Sequence, residues 1–93
     1  MTWMEIIKLR SATGKPLPLL EELKHQIDHY SRERVIPQNI SFMLNRPNEY
    51  DLAVLLTWQS ELVDEQGSKL ASYLSSFLRE FGAVNHTVWE ELT

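Results

Sequence analysis

The run LAVLLTW, residues 52–58, offers no polar face. Strand side chains alternate between the two sides of a sheet. Leu52, Val54, Leu56 and Trp58 therefore fall on one side, and Ala53, Leu55 and Thr57 on the other. A sheet with one face in water alternates apolar and polar residues along each strand. This strand instead calls for cover on both faces, which restricts both the fold and what lies against it.

Its neighbours supply the rest of the pattern. WMEIIKLR, about residues 3–10, is short and Ile-rich and reads as a first strand. ATGKPLP is turn chemistry, and either proline suits the first turn of a following helix, where no N–H is needed. From Leu19, the residues Leu20, Leu23, Ile27 and Tyr30 recur at helical spacing, while Glu21, Glu22, Lys24, His25, Asp28 and His29 lie mostly opposite. An amphipathic helix to Tyr30 or Ser31 follows, and Pro37 prevents its continuation. NISFMLN alternates Ile40, Phe42 and Leu44 against Ser41, Met43 and Asn45, and the six-residue turn RPNEYD joins it to the 52–58 run as an antiparallel hairpin. After the polar segment QSELVDEQG, Ser68 can cap a second helix. Leu70, Leu74, Phe77, Leu78 and Phe81 form its apolar stripe, with Tyr73 alongside and Gly82 placed as its C-terminal glycine. A last strand spans about residues 83–91.

The order β-α-β-β-α-β is the ferredoxin-like, split βαβ arrangement. Right-handed crossovers put both helices on one face of a four-stranded antiparallel sheet, with expected strand order 4-1-3-2. Alternation assigns Ile7, Leu9, Ile40, Phe42, Leu44, Val54, Leu56, Val84 and Val88 to the helix-covered face. The opposite face receives Ile6, Lys8, Arg10, Ser41, Met43, Asn45, Ala53, Leu55, Thr57, Asn85, Thr87 and Trp89. Its apolar centre is a liability for a lone molecule. Two copies packed face to face remove it, so a homodimer through Ile6, Met43, Ala53, Leu55, Thr87 and Trp89 is expected.

Ninety-three residues make a single α+β domain, 1–93, with little core to spare. There is no cysteine, which excludes disulfides, thiolate metal sites and a cysteine nucleophile. The net charge of −4 and the scattered basic residues argue against nucleic acid as a partner. No apolar run approaches the roughly 20 residues that span a bilayer, and the N-terminus lacks signal-peptide character. A cytoplasmic protein without membrane association is the expectation.

A chain of this length and element order with a half-apolar open sheet face resembles the dimeric α+β barrel superfamily. That group includes small antibiotic-biosynthesis monooxygenases, haem-degrading monooxygenases, muconolactone isomerases and stress-responsive barrel proteins. LAVLLTW is similar to the monooxygenases' third strand, which often ends in an aromatic position, here Trp58. Those monooxygenases tend to carry a histidine on the second helix; SKLASYLSSFLREF has none. The resemblance implies a homodimer and a substrate cavity against the sheet.

Candidate sites follow from residue type and face. Lys8, Arg10, Asn45, Thr57, Asn85 and Trp89 can line a cavity between the sheet and a second copy, with Ser41 beside them; the cations favour an anionic or carbonyl-bearing ligand. Lys8 or Arg10 could alternatively meet Glu90 or Glu91 of the other copy. His86, directed towards the helices, is either a structural histidine or a general acid or base, and Lys8 is a second candidate for proton transfer. Glu22, His25 and His29 share one exposed helical face, a weak metal candidate. Glu61, Asp64 and Glu65 lack the spacing of a calcium loop. No phosphate loop, nucleophile motif or cofactor signature is present. The expected role is binding, of a small organic ligand or a protein partner. The alternatives are a cofactor-independent monooxygenase or isomerase acting on a small aromatic or carbonyl substrate, and a structural or regulatory oligomerisation module.

Overall fold

The structure, a computed structural model, describes residues 2–31, 36–60 and 63–93. Strand β1 spans Thr2–Ser11, helix α1 Leu20–Ser31, β2 Asn39–Leu44, β3 Asp51–Gln59, α2 Lys69–Leu78 and β4 Gly82–Glu90. The sheet runs β2-β3-β1-β4 with every neighbouring pair antiparallel, which is the expected 4-1-3-2 order. Arg32, Arg34 and Glu61 lie outside the described residues. Among the described residues no helix is long and apolar enough to cross a membrane.

Local chemistry explains the boundaries. Pro16 caps a short 3-10 turn, Leu17–Leu19, that leads into α1. The Ser68 hydroxyl accepts the Ala71 N–H at 3.0 Å and starts α2. Gly82 does not terminate α2 as a left-handed glycine. It opens β4, and its missing side chain matters for space, since a Cβ there would come 2.1 Å from the Arg10 carbonyl oxygen. The helix ends at Leu78, and Phe81 N–H returns to its carbonyl at 2.9 Å.

The core lies between helices and sheet. Ile7, Leu9, Leu52, Val54 and Leu56 from the sheet meet Leu23 and Ile27 of α1 and Leu70, Ala71, Leu74 and Leu78 of α2. Each large apolar side chain removed from water there contributes about 1.5–3 kcal/mol. Trp3 stacks on Trp58 at a centroid separation of 5.6 Å, closing the core at one end of the sheet.

Register places the other side chains in rows across the helix-free face. Met43, Ala53, Lys8 and Asn85 form one row; Ser41, Leu55, Ile6 and Thr87 the next; Asn39, Thr57, Met4 and Trp89 a third. Arg10 lies between Asp51 and Ala83 at the far end. No element among the described residues covers these rows. Met43 is 54% exposed and Trp89 58% exposed.

Candidate functional site

The helix-free face divides into a polar end and an apolar end. At the polar end, Arg10 donates from Nε to Asp51 Oδ1 at 2.9 Å and from a terminal nitrogen to Oδ2 at 3.0 Å. This fork fixes Arg10 against its own chain. Lys8 and Asn85, cross-strand partners, make no hydrogen bond or ion pair with a described residue. The two flank an open depression of about 470 Å³, lined also by Arg10, Asp51 and Ala83. A smaller depression of about 140 Å³ joins Lys8 to Asn45, Met43 and Ala53.

Lys8, Arg10 and Asn85 thus line one depression, and Asn45 meets Lys8 in the second. Thr57 and Trp89 do not join them. They lie on the third row, beyond Leu55 and Ile6, four residues or roughly 13 Å along the strands from Lys8. Trp89 donates its indole N–H to Thr87 Oγ1 at 2.8 Å and borders a separate depression with Met4, Glu90 and Glu91.

The hydrogen bond from Arg10, then the attraction of its charge, hold the Asp51 carboxyl below the usual carboxylate range despite the opposing cost of its burial; Lys8 and Asn45 add smaller contributions. A carboxyl whose folded pKa is depressed contributes stability above its unfolded pKa, and that contribution is lost as pH falls through the folded value. Thermal melts of the native chain and Asp51→Asn across the acid range check this. The native advantage should be constant above about pH 5 and shrink below about pH 4. A gap that persists unchanged to the lowest pH would refute the assignment.

On the other side of the sheet is a centre absent from the sequence reading. Glu5 is 0% exposed. Its carboxylate accepts Trp58 Nε1–H at 2.7 Å, Ser68 N–H at 2.7 Å, the Ser68 hydroxyl at 2.6 Å and His86 Nε2–H at 2.9 Å. Trp58 Nε1 and the Ser68 backbone nitrogen can only donate, so Glu5 accepts both; with Glu5 as the carboxylate, the Ser68 hydroxyl also donates to it and the proton of the His86 bond is assigned to Nε2. The carboxylate also lies at the N-terminus of α2, where the helix dipole favours negative charge. Gly67, at φ +87°, closes over the pair, and a Cβ there would come 2.2 Å from His86 Cε1 and 2.7 Å from Glu5 Oε1. The His86 side chain keeps 21% of its surface exposed.

His86 thus has an orienting partner 81 positions away in sequence. Its side chain faces the helix side of the sheet, whereas that of Lys8 faces the open side. A signal for Glu5 existed: it is the acid at the helix-facing positions Trp3, Glu5, Ile7 and Leu9. On α1, Glu22 accepts a hydrogen bond from Gln26 at 3.0 Å, and Glu22, His25 and His29 do not converge; among the described residues no group of three or more His, Asp or Glu could hold a metal.

No protein-family model matches the chain, and no curated protein matches it in sequence. Solved structures do match. SnoaB, a cofactor-independent oxygenase from Streptomyces nogalater, is similar at 11% identity over 99% of this chain and 94% of its own, with a TM-score of 0.69. Rv0793 from Mycobacterium tuberculosis is similar at 14% identity, over 100% of this chain and 97% of its own, with a TM-score of 0.65. A Bordetella bronchiseptica protein described as a candidate antibiotic biosynthesis monooxygenase is 11% identical, over 99% of this chain and 98% of its own, with a TM-score of 0.64. The chain therefore has the ferredoxin-like α+β fold of antibiotic-biosynthesis-monooxygenase-type proteins. Identities this low establish the fold, and fold does not fix chemistry.

Proposed function

We propose that the chain is a homodimer, closed through its helix-free sheet faces, that binds a small organic molecule bearing a carboxylate or carbonyl oxygen. One observation carries this reading. Lys8 and Asn85 make no hydrogen bond or ion pair with a described residue, and they present an ammonium and an amide to a depression of about 470 Å³, beside uncovered apolar rows. That volume lies in the range of small-molecule sites, roughly 300–1,000 Å³. Lys8 and Asn85 take the oxygen atoms, and Ile6, Leu55 and Met43 take the apolar body. A second copy over the face turns the open depression into an enclosed one.

The neighbours' descriptions support a second reading within the same frame, an enzyme of the cofactor-independent oxygenase or isomerase kind acting on a small aromatic or carbonyl compound. In that case Asn85 and Asn45 orient the substrate, and Lys8 carries or stabilises the charge that develops on its oxygen.

The test uses an apolar-bodied anion, 8-anilinonaphthalene-1-sulfonate. Its fluorescence titration should saturate on the native protein and be displaced by salicylate. Lys8→Met should weaken binding by about tenfold, the scale of one hydrogen bond to a charged group. Equal affinity for native protein and variant would remove Lys8 from the site. A native protein that neither binds the dye nor is protected by salicylate favours a purely structural oligomerisation module.

A further inference from the structure

The buried centre on the helix side is independent of the ligand reading above. We infer that His86 is a proton-transferring residue, with Nδ1 as the working atom, a small carbonyl compound as substrate class, and Glu5 as the positioning residue.

The geometry points there in three steps. Trp58 Nε1–H and Ser68 N–H can only donate to Glu5, and with Glu5 as the carboxylate the bond at 2.9 Å assigns a proton to His86 Nε2. In the neutral ring that leaves the lone pair on Nδ1. The ring cannot turn freely, because Gly67 lies against its Cε1 edge. The side chain is nonetheless 21% exposed and sits on β4, which pairs only with β1 and forms an edge of the sheet. A held imidazole with one nitrogen tied to a buried carboxylate and the other hydrogen-bonded to no described residue is an arrangement suited to general base catalysis.

In the step assigned to it, Nδ1 takes a proton from the carbon next to a carbonyl group. The C–H electron pair moves into the enolate as the imidazolium forms. Glu5, already at hydrogen-bond distance, compensates the new positive charge. The same proton returns to carbon or oxygen, so isomerisation needs no oxidant, metal or cofactor.

Diethyl pyrocarbonate labelling of the native protein, resolved by mass spectrometry, tests the assignment. His25 and His29, both exposed on α1, are internal references. His86 should be carbethoxylated faster than either, although it is less exposed. In that reaction the nitrogen bonds the carbonyl carbon and monoethyl carbonate leaves. Glu5→Gln should abolish the excess at His86, while unchanged rates at His25 and His29 report an intact α1. A His86 rate at or below the references in native protein overturns the free Nδ1. Proton transfer itself is read as deuterium incorporation into acetone in D₂O, followed by NMR. The native rate should exceed that of His86→Gln, which keeps an N–H for Glu5, by about 100-fold. Equal rates overturn the catalytic role.

Discussion

If the proposed dimer forms, Leu55→Lys is expected to sediment as a monomer at micromolar concentration and the native chain as a dimer. Leu55 lies on the second row of the helix-free face, between Ser41 and Ile6. Within one chain it is only half-buried, because no helix reaches that side. Closing two such faces removes Ile6, Leu55, Met43 and Met4 of both copies from water. Each fully buried apolar side chain contributes about 1.5–3 kcal/mol. Leu55 is already half-buried, so losing it from both copies costs about 1.5–3 kcal/mol of association, or roughly one to two orders of magnitude in dissociation constant. Two lysines opposed in a dry interface add desolvation and repulsion. The variant's own fold should survive, because Leu55 points away from the core. Sedimentation velocity reads the outcome. A native chain that runs as a monomer means that this apolar surface stays wet and that the enclosed ligand site is wrong. A variant that remains dimeric means the contact lies elsewhere, with an edge strand the next place to look.

Glu5→Leu is the second large effect. The substitution keeps the approximate volume and removes the acceptor. Trp58 Nε1, Ser68 N, Ser68 Oγ and His86 Nε2 then lose their common partner. Breaking a buried, hydrogen-bonded charge cluster from one side typically costs about 3–5 kcal/mol. Total stability is typically about 5–15 kcal/mol, so a domain this small could lose much of what it has. Urea denaturation followed by tryptophan fluorescence measures the loss. Amide exchange should locate it at the start of α2, since Ser68 N–H bonds Glu5 and Ala71 N–H bonds the Ser68 hydroxyl. A loss below about 1 kcal/mol, the scale of one ordinary hydrogen bond, would show that the cluster does not hold the helix to the sheet.

These two residues also mark how far the sequence can be read. Leu55 was assigned to its face from alternation alone, and the register with Ile6 and Ser41 agrees. Ser68 was legible as a cap for the same reason, since capping depends on a few adjacent positions. Gly82 was misread because a glycine beside a helix end suggests a left-handed cap, whereas here it makes room for the Arg10 carbonyl on the neighbouring strand. Trp89 was grouped with Lys8 because both belong to one face. A shared face does not imply proximity, and the rows put them on opposite sides of Ile6.

Element order, strand faces and the half-apolar open surface are properties of spacing along the chain, and the 93 residues determine them without reference to any contact. The pairings that carry charge belong to the tertiary structure. Arg10 meets Asp51 across 41 positions, and Glu5 meets His86 across 81. Both depend on β1 lying between β3 and β4 with one particular register. A shift by a single residue would turn Glu5 to the open face and leave His86 without its carboxylate. Periodicity is local and survives in the sequence. A distant donor and acceptor become partners only when the packed sheet brings them within hydrogen-bond distance.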